Sequence, residues 1–277
     1  MRAIASVLAL SAAVGLATPA AAQTLRVGYG ITLAGIPLGT ADLATSLEGS
    51  RYKLELGAKL TGLAGAITGG RGAATAAGSV AGEKPLPASF ALTSRTSRDE
   101  RTVRMGLSGG SVAALEITPP IDEKADRVPL SESHKRGVID PVSALLMPTR
   151  GNATDPANCN RTIPVFDGAA RFDVVLSYVE TRQVEKPGYA GPVLVCNARY
   201  VPIAGHRALR PSTKFMEDNR DMQVWLAPVN PRLLVPLRIS VRTMIGMSVI
   251  EASRWALQQD AKVVPSAGSA AKASAAQ

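Results

Sequence analysis

Hydrophobic residues recur with a period of two along much of the chain. Leu25, Val27, Tyr29, Ile31 and Leu33 alternate with small or polar neighbours, and Leu54 and Leu56 flank Glu55. Phe172, Val174, Leu176 and Tyr178 repeat the pattern, as do Leu237, Ile239 and Val241, with Arg238, Ser240 and Arg242 on the opposite face. Successive side chains of a strand point to opposite faces, so this alternation predicts half-buried strands. Gly35 to Gly39 (Gly-Ile-Pro-Leu-Gly) separates the first two and suits a turn, since glycine tolerates positive φ and proline fixes its own. Residues 87–96 and 101–107 read as a strand pair around Arg98 to Arg101, and a further strand at 111–118 ends before Pro119-Pro120. The expectation is a mainly β fold that opens with a meander: a strongly bent antiparallel sheet or half-barrel, with one or two short helices.

Helical signals are few. Leu60 to Ile67, in a stretch rich in glycine and alanine, reads as a short helix. Asp140-Pro141 is the clearest helix start: the aspartate offers a side-chain acceptor to free amides, and proline lacks a donor where none is needed. That helix, Pro141 to Met147, stops at Pro148, and Leu145 and Leu146 are expected to be buried.

The ends of the chain change the compartment. Arg2 precedes an uncharged stretch from Ala3 to Pro19 and then Ala20-Ala21-Ala22, the pattern of a signal peptide cleaved before Gln23. The apolar part is too short and too alanine-rich for a membrane span, and no cysteine follows it to carry a lipid anchor. From Val263 the sequence runs into proline, serine, glycine and alanine, which cannot bury a core. The expected organisation is a signal peptide over 1–22, a single β-rich domain over 23–262 and a disordered tail over 263–277. The product is a soluble periplasmic protein that does not span a membrane. Export favours disulfides, and Cys159 and Cys196 are the available pair, far from any CxxC spacing. Closing their loop would stabilise the fold by roughly 4 kcal/mol through the unfolded state; the alternative is two buried thiols that never meet.

Composition then narrows the chemistry. With two histidines, two cysteines and 4% aromatic residues, the chain has little material for a metal cluster, a zinc ribbon or a base-stacking platform. No cofactor is expected. The formal charge of +9 invites a nucleic-acid reading, and Arg95, Arg98, Arg101 and Arg104 share a spacing of three. In a hairpin about Asp99-Glu100, however, Arg98 would face Arg101 and Arg95 would face Arg104, on opposite sheet faces. Nucleic acid is not expected; anionic lipid headgroups, acidic polymers or plain solvation fit the compartment better. His134 lies in polar Ser-Glu-Ser-His-Lys-Arg and reads as a solvated loop. Asp140, Asp167 and Asp173 each have an ordinary explanation, as helix cap, turn residue and polar-face residue. The candidate binding or structural loop is Tyr200 to Arg207: Gly205 permits a sharp turn, His206 offers an imidazole and Arg207 offers planar donors to a carboxylate or phosphate. The structural alternative pairs Arg207 with an acid such as Asp167 or Glu217.

The order of motifs carries a resemblance. Tyr29 with Gly35 to Gly39, Asp140 to Leu145, Cys159 with Val165-Phe166-Asp167-Gly168, Cys196 with Tyr200 and Pro202, Gly205-His206-Arg207 and Trp225-Leu226 follow one another from about Leu25 to about Ala256. The chain resembles the exported proteobacterial family catalogued as domain of unknown function 3108. The resemblance implies a soluble periplasmic β-rich protein, similar in outline to the half-barrel of outer-membrane lipoprotein carriers, and no assigned activity. The functional expectation is a non-enzymatic binding or carrier module that holds an apolar ligand, a lipid or another envelope component on its concave face. The alternative is a structural or interaction protein of the cell envelope with no small ligand.

Overall fold

Alternation becomes a single large sheet in the computed structural model, which describes residues 22–259. The expected signal peptide, but for Ala22, and the expected tail from Val263 lie outside the described residues. The first seven strands are β1 (Gln23–Leu33), β2 (Ile36–Glu48), β3 (Arg51–Leu60), β4 (Arg71–Ala81), β5 (Lys84–Arg95), β6 (Glu100–Ser108) and β7 (Ser111–Thr118), with helix α1 (Gly62–Thr68) between β3 and β4. Residues 119–160 form an irregular crossing segment holding β8 (Met147–Pro148). The chain returns as β9 (Arg161–Phe166), β10 (Arg171–Lys186), β11 (Tyr189–Ala204), helix α2 (Pro211–Asp218), β12 (Met222–Asn230), β13 (Leu233–Thr243) and β14 (Gly246–Gln259).

Strand order is β7-β6-β5-β4-β3-β2-β1-β14-β13-β12-β11-β10-β9, with β8 paired to β13. Two antiparallel meanders, β1–β7 and β9–β14, are therefore joined where β1 pairs with β14, Gln23 opposite Gln259. The outer strands β7 and β9 do not pair with each other. Residues 136–139 lie between them: the Val138 amide donates to Gly110 O at 2.9 Å, the Ile139 amide to Pro164 O at 2.9 Å, and Phe166 donates back to Ile139 O at 2.9 Å. The sheet curls until both edges flank this one short segment, which covers edge groups that would otherwise invite pairing with another chain.

Inward-facing residues of both meanders form the first core, from Leu25, Val27, Leu43 and Leu54 round to Val193, Val195, Val235 and Leu237. Val138, Val142 and Leu146 of the crossing segment join it, so the inward face is filled by the protein's own side chains. A second core covers the other face of β9–β13, where Leu194, Cys196, Val224, Leu226 and Leu234 meet Met147, Ala153 and Cys159 of the crossing segment. In β11 the two cores take alternate residues, Val193 and Val195 against Leu194 and Cys196. A strand buried on both faces reads as a continuous apolar run rather than an alternation.

Several expectations are corrected. The first turn is only Ala34-Gly35, and Ile36 already pairs with Leu33, because two residues in the left-handed region (φ 50° and 81°) close a tight hairpin. The expected helix over Leu60 to Ile67 is α1, which starts after Leu60 because that residue still pairs with Gly39. Pro141 to Met147 is not an α-helix. After the Asp140 turn a short 3-10 stretch spans Ser143–Leu145, and Met147-Pro148 then extends to pair with Leu233 and Leu234. Leu146 is buried as expected, while Leu145 is only partly so. The arginine hairpin turns two residues earlier than expected, because Thr96 closes the loop: its amide donates to Asp99 O, and its hydroxyl accepts from the Asp99 amide at 3.0 Å. Arg95 consequently faces Glu100 and not Arg104, and Arg104 faces Ala91.

Candidate functional site

The site is built by the crossing segment lying against the outer face of β9–β13. Asp140 starts it: its Oδ1 accepts from the amides of Val142 at 2.9 Å and Ser143 at 2.8 Å and forces the chain round. The Ser143 hydroxyl lies 2.8 Å from the Tyr52 hydroxyl of β3, tying the turn to the first core. Further along, Cys159 is bonded to Cys196 of β11, with Cα atoms 5.5 Å apart and the two 37 positions apart in sequence. The expected disulfide is present. Asn158, fully buried, carries the end of the segment by accepting from the Arg150 amide at 2.6 Å and donating to Asn152 O at 2.8 Å. These anchors hold Pro141 to Met147 as a wall.

Between that wall and the sheet lies an apolar groove of about 230 Å³. Leu145 and Met147 face Ile163, Phe172, Val224 and Ile239 across it, and the polar residues in its lining are Gln223 and Ser240. Phe172 is backed by Tyr200, with ring centroids 5.1 Å apart. Burial, followed by the nearby charges of Asp167 and Glu217, raises the Tyr200 phenol above its ordinary value and keeps it neutral. The volume lies just below the ~300–1,000 Å³ of drug-sized pockets, and suits one acyl segment or one large apolar side chain. A wider depression of about 740 Å³ lies at one end of the sheet, among the turns at Gly49-Ser50, Gly82-Glu83 and Pro231-Arg232. Its walls mix Leu47, Val80 and Leu233 with Arg51, Glu83 and Arg232.

The sequence-derived loop divides between these surroundings. Tyr200 comes to the edge of the groove, but Gly205, His206 and Arg207 do not line it. They form a small ladder with residues 126–128: the Val128 amide donates to His206 O at 2.9 Å, Gly205 donates to Val128 O at 2.9 Å and Ala208 to Asp126 O at 2.8 Å. The Arg207 guanidinium donates to Asp126 Oδ1 at 2.9 Å and Oδ2 at 3.2 Å, and this bond holds the Asp126 carboxyl below the usual range. The expected partners Asp167 and Glu217 are not used. Asp167 instead accepts from the amides of Ala169 and Ala170 at 2.8 and 2.7 Å, closing its own turn. Gly205 has φ 78°, and a Cβ there would fall 2.1 Å from Ala169 O, so the position admits no side chain without a backbone shift. The His206 Nδ1 is buried and has no partner.

Groove residues such as Met222, Val224 and Val241 were not candidates from the sequence. Their signal is the doubly apolar run, visible in Val193 to Cys196 and Leu233 to Val235, which marks a sheet face needing a second cover. Among the described residues no group of three or more His, Cys, Asp or Glu is placed to hold a metal ion. No helix of the described residues is long and apolar enough to cross a membrane.

The model of the family described as Protein of unknown function (DUF3108) matches residues 25–253. The chain belongs to this family. The match runs from β1 into β14 and so takes in both meanders, the crossing segment and every residue of the groove. No curated protein matches this DUF3108 chain. It is similar to a crystal structure titled as a β-barrel-like protein of domain of unknown function DUF1849 from Brucella abortus. That likeness has a TM-score of 0.47 and 9% identity, over 85% of this chain and 98% of that chain.

Proposed function

We propose that this DUF3108 protein is an exported, non-enzymatic binding module that holds an apolar ligand segment, such as an acyl chain, in the groove between Pro141–Met147 and β9–β13. The observation that carries the reading is the groove lining, apolar except for Gln223 and Ser240 and walled by a segment that a disulfide pins in place. An apolar cleft with few polar groups recognises shape and hydrophobicity, and the groove lining holds no histidine, lysine or carboxylate that could activate the Ser240 hydroxyl. Export is supported by the Cys159–Cys196 disulfide together with the Arg2 to Ala22 segment. The concave face is not the proposed site, because the first core fills it. That same filling favours the second reading, an envelope interaction protein whose groove seats an apolar side chain of a partner.

Displacement of a fluorescent naphthylamine probe by free fatty acids separates the two. A ligand site predicts saturable displacement, and Ala198→Glu, which sets a charge in the groove wall, weakens it about tenfold or more at unchanged melting temperature. His206→Ala combined with Arg207→Ala lowers the melting temperature and leaves displacement intact. Lack of displacement by any fatty acid, or equal displacement from the Ala198→Glu variant, overturns the ligand reading.

A further inference from the structure

Turn tips in a soluble protein ordinarily carry glycine, asparagine or other polar residues. The β13–β14 turn carries Met244 and Ile245 instead, 60% and 74% exposed, and Ile36 at the neighbouring β1–β2 tip is 66% exposed. The two tips touch. The Ala34 amide donates to Met247 O at 2.8 Å, and a Cβ on Gly246 would lie 2.9 Å from the Ala34 Cβ. Three large apolar side chains thus project from one end of the sheet, at turn tips that are not part of the groove lining.

The same end is cationic by register. Thr40 faces Lys59, Lys59 faces Arg71, Arg71 faces Arg95 and Arg95 faces Glu100 across successive ladders. Directly opposed residues share a sheet face, so three exposed cations stand side by side with one acid at the end of the row. Like charges in opposed positions destabilise a sheet. Glu100 binds Arg95, while Lys59, Arg71 and Arg98 of the adjoining turn make no ion pair with the described residues. Other acids of this end are Asp221, which binds Arg242, Glu217 and Asp218 at the end of α2, and Asp99, which sits in the turn beside Arg98.

We propose that this end docks on an anionic bilayer surface, with Ile36, Met244 and Ile245 entering the headgroup and acyl boundary and Lys59, Arg71 and Arg98 meeting lipid phosphates. A bilayer is the occupant that matches both features. Its apolar layer accepts projecting tips without a shaped pocket, and its negative surface attracts spread cations that lack protein partners. A docked tip also places the protein at a source of acyl chains, but the inference stands on the rim alone and does not depend on the groove.

Co-sedimentation of the purified protein with phosphatidylcholine vesicles, with and without phosphatidylglycerol, tests it. The protein partitions to the phosphatidylglycerol vesicles and leaves them as salt rises. Lys59→Ala and Arg71→Ala each weaken partition about fivefold. Ile36→Ser, Met244→Ser and Ile245→Ser together weaken it tenfold or more, as does Ile245→Ser in part, while Leu86→Ser at the opposite end changes nothing. All these sites are exposed, so melting temperature and groove-probe binding stay as in the unaltered protein. Failure to sediment, equal sedimentation with phosphatidylcholine alone, or indifference to the tip and cation variants overturns the proposal, whatever the groove binds.

Discussion

Asp140 shows how much one residue decides. Its carboxyl is fully buried; one oxygen caps the turn through two amides, and the other has no partner. Burial outweighs the hydrogen bonds from Ser143 and Val142 and raises its pKa above the ordinary carboxylate value. The folded state then holds a proton that the unfolded state has released, so this group favours folding less as pH climbs from the unfolded value through the raised folded one. Asp140→Asn keeps the capping oxygen and removes the titration. Urea denaturation from about pH 4 upward should show a fall in stability for the native sequence that is shallower in the variant. Coincident slopes would mean that Asp140 is not the group responsible. The cap itself was legible, because Asp-Pro is a local signal; its burial was not, because it comes with packing against distant strands such as β3, whose Tyr52 hydroxyl meets Ser143 of the same turn.

At the scale of elements, the crossing segment separates what local sequence decides from what packing decides. Its proline-stopped start and its cysteine are readable in isolation, yet Pro141 to Met147 does not complete an α-helix. Val142 and Leu146 enter the first core, whereas Ala144 and Met147 pack on the second. That spacing of three and four is what a helix would allow, but the segment must extend at Met147 to reach β13, and the extended Met147-Pro148 cannot be the last turn of a helix. Tertiary demand on both sides overrides the pattern. Breaking the disulfide with Cys159→Ser and Cys196→Ser removes the covalent end of this wall, and is expected to lower unfolding free energy by about 2–4 kcal/mol. Hydrogen exchange of the variant should accelerate first over residues 149–160, where the Asn158 bonds end the segment. Loss confined to the β1–β7 meander, or none, would show that the disulfide does not hold the wall.

For the whole molecule the decisive contact is the one that no strand pattern announces. Val138, 1% exposed, sits where the segment between β7 and β9 bonds to Gly110 on one side while Ile139 bonds to Pro164 on the other. A charge there meets a core with no solvent, so Val138→Asp should cost about 3 kcal/mol or more in chemical denaturation, against almost nothing for Leu86→Asp, at an exposed position of β5. Equal effects would show that the curl of the sheet does not depend on the segment. The sequence by itself determined strands such as β1, β6, β7 and β10, the antiparallel class of the fold, the one available cysteine pair and the family, because these follow from side-chain alternation, turn chemistry and motifs within short stretches; β4, in a Gly- and Ala-rich stretch without alternation, was not legible. It placed Tyr200, Gly205, His206 and Arg207 together as one candidate. Only the tertiary structure parted Tyr200 from the other three, gave Arg207 to Asp126, filled the concave face and opened the groove on the outer one. Those outcomes depend on which distant strands share a face once β1 pairs with β14, and that pairing joins residues more than two hundred positions apart, beyond any local period.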